Sequence, residues 1–347
     1  MDALSAQATL SSPLAGNAVA ASRSNRSKSV AVIIEWENAR LSELDRARQM
    51  LSRLSRQIGE VQAGGDYSFE ILILYNKDKI DPQLVKDVTN ESLKGAENPL
   101  TVSLRATDDL NYYQQKNFGV RSTEADFVIF LDSDVIPDEG WLPALVESLK
   151  DPEVSVVSGH PYLTTSNLYE KAFALFWFFS PKPSKPTMRT VTTFPANNVA
   201  FRRDLLLANP FPDLESYRGS CAELAGTLRK KGYKIYRQEK ATVEHPPPNG
   251  LSHFISRALV EGHDTVVNKR KRAHGLWTAS PIMATWRLLR TIPRTLGRVF
   301  GDGAKVGLRR AEVPGVLGLA LAYAVMKFVG EIVAFFAPGL IRRHVSL

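Results

Sequence analysis

The sequence has little cysteine and no apolar run long enough to cross a bilayer without interruption. Cys221 is the single cysteine among 347 residues, which excludes an internal disulfide and fits a reducing compartment. The first 28 residues are rich in alanine and serine, and lack the basic start and sustained apolar stretch of a signal peptide. We therefore expect residues 1–28 to be a disordered tail.

Basic residues outnumber acidic ones by 44 to 36, and the excess is concentrated near the C-terminus. Residues 269–310 contain eleven Lys or Arg and one acid, Asp302. Such a segment indicates a phosphate-bearing partner or a solvated charged face. Its arginines alternate with Trp286, Leu289 and Leu296, a pattern typical of a helix at a membrane interface. It shows no nucleic-acid motif, so we expect a membrane surface and no nucleic acid as partner.

The most apolar segment follows directly. Val313–Met326 is apolar apart from one tyrosine and is shorter than the ~20 residues of a spanning helix. Lys327 and Glu331 then interrupt it, at a spacing that would let them pair on a helix. Basic pairs at 309–310 and 342–343 flank both ends, which disfavours a single span. We expect a re-entrant or in-plane element on the cytoplasmic face of the inner or plasma membrane; a soluble helical cap is the alternative.

The central part of the chain alternates buried strands with amphipathic helices. Apolar runs of strand length occur at 30–34, 69–74 and 127–132, with a further candidate at 101–106. Leu44, Ala47, Leu51, Leu54 and Ile58 recur at the spacing of one helix face. This alternation predicts a Rossmann-like, mainly parallel α/β sheet over residues 29–265, followed by basic interfacial helices at 266–310 and an apolar segment at 311–347. Ligand sites in such sheets lie at the carboxyl ends of the strands.

Two aspartates stand at the end of one of these strands. Asp132 and Asp134 are separated only by Ser133, and side chains two apart in an extended chain point the same way. Two like charges placed together are unfavourable unless a positive group lies between them. A hard cation, Mg or Mn, would fit, because it prefers oxygen ligands and completes its shell with substrate phosphates. The alternative is a pair of solvated loop acids.

Three segments occur in a recognisable order: "YYQQKNFGVRSTEADFVIFLDSD", "FPANNVAFRRDLL" and "LRKKGYKIYRQEKATVEH". Together they resemble the motifs of the inverting family 2 glycosyltransferases with the GT-A fold, over roughly residues 29–246. The resemblance implies transfer of a sugar from a nucleotide-diphosphate sugar to a hydroxyl of a lipid-linked or polysaccharide acceptor, with inversion and a divalent metal. A module that binds sugar nucleotides without catalysing transfer is the alternative function.

The same resemblance implies roles for individual residues. Asp132 would contact the ribose or the metal, and Asp134 would bind the cation that bridges the diphosphate. His245 would be a third metal or diphosphate contact, or else a structural histidine. The expected donor-site residues further comprise Glu35, Glu37, Asn38, Tyr75, Asn76, Lys116, Asn117, Asn197 and Asn198. The ends of the first two strands depart from the family pattern, so the base-reading pocket is altered.

The expected general base is where the chain departs most from the family. An inverting transfer to a hydroxyl needs a carboxylate base, which the family places in "G-E-D-x-x-L". Aligned on Gly219, that acidic pair falls on Ser220 and Cys221, and neither replaces a carboxylate at neutral pH. The nearest acid, Glu223, is the predicted base. Three alternatives stay open: Glu223 forms a capping box with Ser220, or Asp213 or Glu215 is the base.

Overall fold

The computed structural model describes residues 27–36, 44–94, 100–176, 182–271 and 274–344. Most of the predicted N-terminal tail lies outside these ranges, and its last residue, Lys28, already begins the first strand. The described residues form one large sheet with helices on both faces, followed by a bundle of helices. This is the mixed, mainly parallel α/β architecture that the sequence predicts.

The sheet contains nine strands in the order β3-β2-β1-β4-β8-β6-β9-β5, and β7 pairs with β9. The strands are β1 Lys28–Glu35, β2 Tyr67–Asn76, β3 Thr101–Thr107, β4 Phe127–Asp132, β5 Ile136–Pro137, β6 Val156–Tyr162, β7 Met188–Thr190, β8 Asn198–Arg202 and β9 Tyr236–Glu244. The first four run parallel, whereas β8 is antiparallel to both β4 and β6.

Twelve α-helices complete the described fold. They are α1 Leu44–Gln62, α2 Pro82–Ser92, α3 Tyr112–Arg121, α4 Trp141–Lys150, α5 Leu168–Phe176, α6 Arg203–Ala208, α7 Ser220–Lys230, α8 Gly250–Arg270, α9 Gly275–Ala279, α10 Pro281–Asp302, α11 Val313–Phe336 and α12 Pro338–His344. The predicted boundary at 265/266 falls inside α8.

The strand order places the polar strand ends together. β1 lies between β2 and β4, and Glu35 at its end is paired in register with Asp132 at the end of β4. The chain reverses its direction of strand addition at this point, and open α/β sheets bind their ligands at such switch points. Helix α3 packs closely under this edge. The close approach is seen at Gly119, where an added Cβ would lie 2.7 Å from Ile33 Cγ2.

The C-terminal helices are fastened to the sheet domain by close backbone contact. A Cβ on Gly262 of α8 would lie 2.1 Å from the Lys327 carbonyl oxygen, and one on Gly330 of α11 would lie 2.3 Å from the Leu259 carbonyl oxygen. Only glycine allows the two helices to approach this closely. Helix α11 is therefore packed along α8 rather than separate from the sheet domain.

The charged residues of α11 do not interrupt it, contrary to the sequence-based expectation. The helix runs for 24 residues through both of them. Lys327 Nζ donates to Glu261 at 2.6 Å, and Glu331 accepts from Arg287 at 2.5 Å, so the two do not pair with each other. Their partners lie on α8 and α10, and these ion pairs fix α11 against both helices.

Among the described residues, one stretch, Arg310–Phe336, has the length and apolar composition to span a bilayer, and 33% of its most apolar window is buried in the protein. Helix α10 differs, because it exposes one apolar face. We call this face the α10 stripe: Ile282, Trp286, Leu289, Ile292, Leu296 and Phe300, each at least 37% exposed. These positions fall within one side of a 3.6-residue helix.

Candidate active site

A cleft of about 1120 Å³ opens at the carboxyl ends of β1 and β4. Five of the predicted site residues line it: Glu35, Asp132, Asp134, Asn197 and His245. The cleft extends from this strand edge to the first turns of α8 and to α5. The predicted residues Glu37 and Asn38 lie outside the described residues.

Asp132 already has a positive partner within the protein. Lys116 Nζ, whose side chain is 0% exposed, donates to Asp132 Oδ1 at 2.7 Å. The Tyr112 hydroxyl donates to Asp132 Oδ2 at 2.9 Å. Burial, and then the charge of Asp132, raise the pKa of Tyr112 well above its usual value, so this hydroxyl stays protonated as a donor. Because α3 carries both partners, it neutralises and orients the first aspartate.

Asp134 is buried but less completely satisfied. Its Oδ1 atom is shielded from solvent and has no hydrogen-bond partner in the protein. Burial, and then the neighbouring charge of Asp132, raise the pKa of Asp134 to about 7. Arg46 donates to the Asp134 carbonyl oxygen at 3.0 Å and forms an ion pair with Glu244 at 3.1 Å. The side-chain oxygen of Asp134 is thus a buried acceptor to which a ligand can supply the missing partner.

His245 lies at the end of β9 in the form that binds cations. Its Nδ1 is 2.7 Å from the Pro246 carbonyl oxygen, which only accepts, so the ring proton is on Nδ1 and the lone pair is on Nε2. Burial lowers the pKa of His245 to about 4, so the ring is neutral at physiological pH. A neutral imidazole held through Nδ1 is typical of a metal ligand.

These residues fit a divalent cation with few protein ligands. Within the described ranges, no three His, Cys, Asp or Glu side chains come together as a metal-binding group, so the predicted set of Asp132, Asp134 and His245 does not form a three-ligand site. Lys116 also occupies one oxygen of Asp132. The orphan oxygen of Asp134 remains, and Mg or Mn commonly takes one or two carboxylates and fills its other positions with water and substrate phosphate.

Four predicted donor-site residues have structural roles in the fold. Tyr75 packs in the core, and the Asn76 side chain accepts from the Asp78 backbone at 2.8 Å. Asn117 bonds through both amide atoms to the Phe211 backbone, at 2.8 and 3.0 Å. Asn198 accepts from Trp141 Nε1 at 2.8 Å. None of the four lines the cleft, whereas the neighbouring Asn197 does and has a buried Oδ1 without a hydrogen-bond partner.

The segment that should carry the base does not bring Glu223 into the cleft. Glu223 is exposed on α7 and is absent from the cleft wall. The capping box is also wrong, because the residue that caps α7 is Gly219, no side chain caps the helix, and Ser220 Oγ donates to the Pro212 carbonyl. Asp213 and Glu215 do line the cleft.

Cys221 lines the cleft as a neutral thiol. Burial raises its pKa to about 11, and its sulfur lies 3.5 Å from the Tyr113 hydroxyl. A group with this pKa cannot act as a base at neutral pH. The position that carries an acid in the resembled family is therefore occupied here by a group that neither accepts nor releases a proton under ordinary conditions.

Sequence reasoning missed the basic wall of the cleft. Arg218, His253 and Arg257 all line it, in addition to the carboxylates of the strand edge. His253 and Arg257 are four residues apart on α8, which puts them on one helix face. This spacing is visible in "HFISR", but only the fold shows that α8 faces the strand edge.

Comparisons with known proteins agree with this architecture. Residues 42–207 match the family described as Glycosyl transferase family 2. The match covers just under half of the chain, and the described residues have the GT-A fold. The match ends before α7, so the segment with the departing base position lies beyond it. A search of curated proteins gave no match.

Solved structures similar to this chain include the mannosyltransferase PcManGT from Pyrobaculum calidifontis, in complex with GDP-Man and Mn2+. It is 16% identical, the match covers 89% of this chain and 87% of that one, and the TM-score is 0.52. GalNAc-T7 with UDP, GalNAc and Mn2+ is 14% identical, with coverages of 71% and 51% and a TM-score of 0.48. S. aureus TarS 1–349 in complex with UDP-GlcNAc is 14% identical, with coverages of 88% and 81% and a TM-score of 0.45. The first of these likenesses establishes the fold.

Proposed function

We propose that the protein transfers a sugar, with inversion and with Mg or Mn, from a nucleotide-diphosphate sugar to a lipid-linked or glycan acceptor. The observation that carries this proposal is the buried, unpartnered oxygen of Asp134, beside an Asp132 whose charge Lys116 already balances. A family 2 domain with such an acceptor at its switch point favours a donor whose diphosphate brings its own cation.

The residues of the chain would divide the work as follows. Asp134 would hold the cation, and His245 would face the same group or the diphosphate with its Nε2 lone pair. The cation would supply charge stabilisation to the departing diphosphate. Lys116 and Tyr112 keep Asp132 in one orientation, so Asp132 would contact the donor as a fixed acceptor. Glu35 and Asn197 would contact the donor from the neighbouring strand ends.

Location at a membrane is part of the proposal. The α10 stripe exposes two isoleucines, two leucines, a tryptophan and a phenylalanine, and Arg290 and Arg294 lie beside it on the helix. Apolar side chains flanked by arginines suit an interface with anionic lipid headgroups. We infer a peripheral or monotopic position on the cytoplasmic face of the inner or plasma membrane, with no nucleic-acid partner.

A module that binds the donor without transferring the sugar is the second candidate. It is favoured by Cys221, whose raised pKa leaves the expected base position inert, and by the exposed location of Glu223. Both functions require donor binding, and only the transferase turns the donor over. Release of nucleoside diphosphate from GDP-mannose or UDP-N-acetylglucosamine would therefore favour the transferase over the binding module.

The experiment that tests donor binding is calorimetric titration of the full chain with UDP and with GDP, with and without Mn2+. We expect Mn-dependent binding of at least one nucleotide, which Asp134→Asn weakens tenfold or more. Asp45→Asn is the matched control, since Asp45 is 77% exposed and outside the cleft wall. Binding of either nucleotide that is independent of Mn and equal in both variants would reject the cation assignment, and no binding of either would reject the proposal.

A further inference from the structure

The cleft is lined by both acidic and basic side chains. Asp132 and Asp134 line it at the strand edge, and Arg218, His253 and Arg257, which we call the basic wall, line it as well. Burial, and then the charge of Arg218, lower the pKa of Arg257 to about 10, whereas Asp134 and Glu261 oppose this shift. Two like charges at one wall favour an anion between them.

The third member of this wall is also a donor. The Asn249 backbone N–H donates to His253 Nδ1 at 3.1 Å, which leaves the ring proton on Nε2. Burial, and then Arg257 and Arg218, lower the pKa of His253 to about 4, so the ring is neutral. Arginine forks and an imidazole N–H are donors that match the oxygens of a phosphate group.

Carboxylates also lie beside this basic wall, and they include Glu261 and Asp264. Glu261 lies 3.7 Å from Arg218, but it also accepts from Lys327 at 2.6 Å and from the Tyr323 hydroxyl at 2.8 Å. Asp264 accepts from the Tyr217 and Arg218 backbone N–H groups, both at 2.9 Å, and so fixes the backbone at Arg218. The backbone that carries Arg218 is therefore held in place before any ligand arrives.

We propose that Arg218, His253 and Arg257 bind a phosphate monoester of the acceptor, and that a phosphate oxygen, rather than a hydroxyl, is the nucleophile. This inference rests on the proposed function for the donor half of the reaction. It accounts for two observations together: the expected base position holds Ser220 and Cys221, and Arg218 and Arg257 line the same cleft.

The chemistry balances without a base. A phosphate monoester has a second pKa of about 6, so at neutral pH its oxygens are largely ionised. One such oxygen forms a bond to the anomeric carbon, and the bond from that carbon to the donor's diphosphate breaks. The nucleoside diphosphate leaves with the electron pair, and a glycosyl phosphodiester is formed. No proton is transferred, so no carboxylate is needed at residues 220–223.

The surroundings of the site fit a phosphate that carries an apolar chain. Tyr169 and the three prolines 246–248 line the cleft next to α8. Tyr323, whose hydroxyl donates a hydrogen bond to Glu261, belongs to the apolar helix α11. A lipid phosphate and a free phosphate share the charged group. They differ in whether an apolar chain of the ligand contributes to binding.

Calorimetric titration of the full chain with dodecyl phosphate, dodecanol and inorganic phosphate tests the site. We expect dodecyl phosphate to bind and the Arg218→Gln, Arg257→Gln double variant to weaken that binding tenfold or more. Arg229→Gln, on an exposed position of α7, is the control and should leave it unchanged. Equal binding of inorganic and dodecyl phosphate would assign a free phosphate; tighter binding of dodecyl phosphate would assign a lipid.

The arginine variants must also be titrated with UDP and GDP in the presence of Mn2+. Retained nucleotide binding supports an acceptor site. A loss of nucleotide binding equal to the loss of dodecyl phosphate binding shows that the arginines hold the donor, and overturns the inference. Circular dichroism checks folding, and the matching double Lys variant should recover part of the phosphate affinity. Asp134→Asn should still bind dodecyl phosphate, so failure of the donor proposal and failure of this one give different results. Dodecanol that binds as tightly as dodecyl phosphate would also overturn it.

Discussion

The strand-edge cleft and the C-terminal helices both bury charged side chains, but they leave different groups without a partner. In the helices, Lys327 pairs with Glu261 and Arg287 pairs with Glu331, and the α10 stripe is an exposed apolar surface. In the cleft, the described atoms without a hydrogen-bond partner are polar and include Oδ1 of Asp134 and Oδ1 of Asn197. The comparison indicates two kinds of ligand: a cation with its diphosphate for the cleft, and a lipid surface for the helices.

The largest effect should come from breaking the internal pair of the cleft. Lys116→Met leaves Asp132 buried without its cation, which costs about 3–5 kcal/mol of folding free energy. Urea denaturation measures the loss. Lys150→Met, at a position 45% exposed, should change the free energy of unfolding by less than ~1 kcal/mol. Equal losses of unfolding free energy in the two variants would mean that the buried Lys116–Asp132 pair stabilises the fold no more than an exposed ion pair does.

The next largest effect is expected from disturbing the contact between α8 and α11. Gly330→Ala places a Cβ against the Leu259 carbonyl and should cost about 1–3 kcal/mol through displacement of the helices. Gly318→Ala, on the same helix with open space around it, should instead stabilise by about 0.5–1 kcal/mol. Thermal unfolding of the two variants measures both changes, the expected loss of stability in Gly330→Ala and the expected gain in Gly318→Ala. A neutral Gly330→Ala would show that α11 is not closely packed on α8.

The α10 stripe should be tested with lipid vesicles. Trp286→Ser removes a large apolar side chain that is 51% exposed, and we expect it to weaken binding to phosphatidylglycerol vesicles by roughly tenfold, about 1.4 kcal/mol. Leu207→Ser, at an exposed position of α6, is the control. Flotation of wild type and both variants at low and high salt measures the effect. Equal flotation of all three would remove the stripe from the membrane proposal.

The smallest effect is expected at the predicted base. Glu223→Gln alters an exposed residue outside the cleft wall, so release of nucleoside diphosphate from the donor should stay within about twofold of wild type. A loss of a hundredfold or more, with unchanged nucleotide binding, would restore Glu223 as the base and contradict a phosphate nucleophile.

Local patterns were enough to predict the sheet and the position of its ligand edge. The apolar runs of β1, β2 and β4 and the helix spacing of α1 each lie within one short segment, and all four form. The aspartate pair also lies at the cleft, as its position after a buried strand predicts.

The partners of the site residues could not be predicted in the same way, because they come from distant segments. Lys116 reaches Asp132 only because α3 packs against β1, the neighbour of β4, and that turns an apparent metal ligand into half of an ion pair. Asn117 and Asn198 match family motifs, yet their amides are used by the Phe211 backbone and by Trp141. The capping box was wrong because Gly219, with a φ of 117°, starts α7 one residue earlier than the motif predicts.

Diffraction at the manganese absorption edge, from crystals of the full chain grown with Mn2+ and UDP or GDP, would show directly whether Asp134 holds a cation. We expect one anomalous peak within about 2.5 Å of a carboxylate oxygen of Asp134 and of the diphosphate, with Lys116 still paired with Asp132. A peak elsewhere, or a nucleotide bound in the cleft with no metal at Asp134, would contradict it.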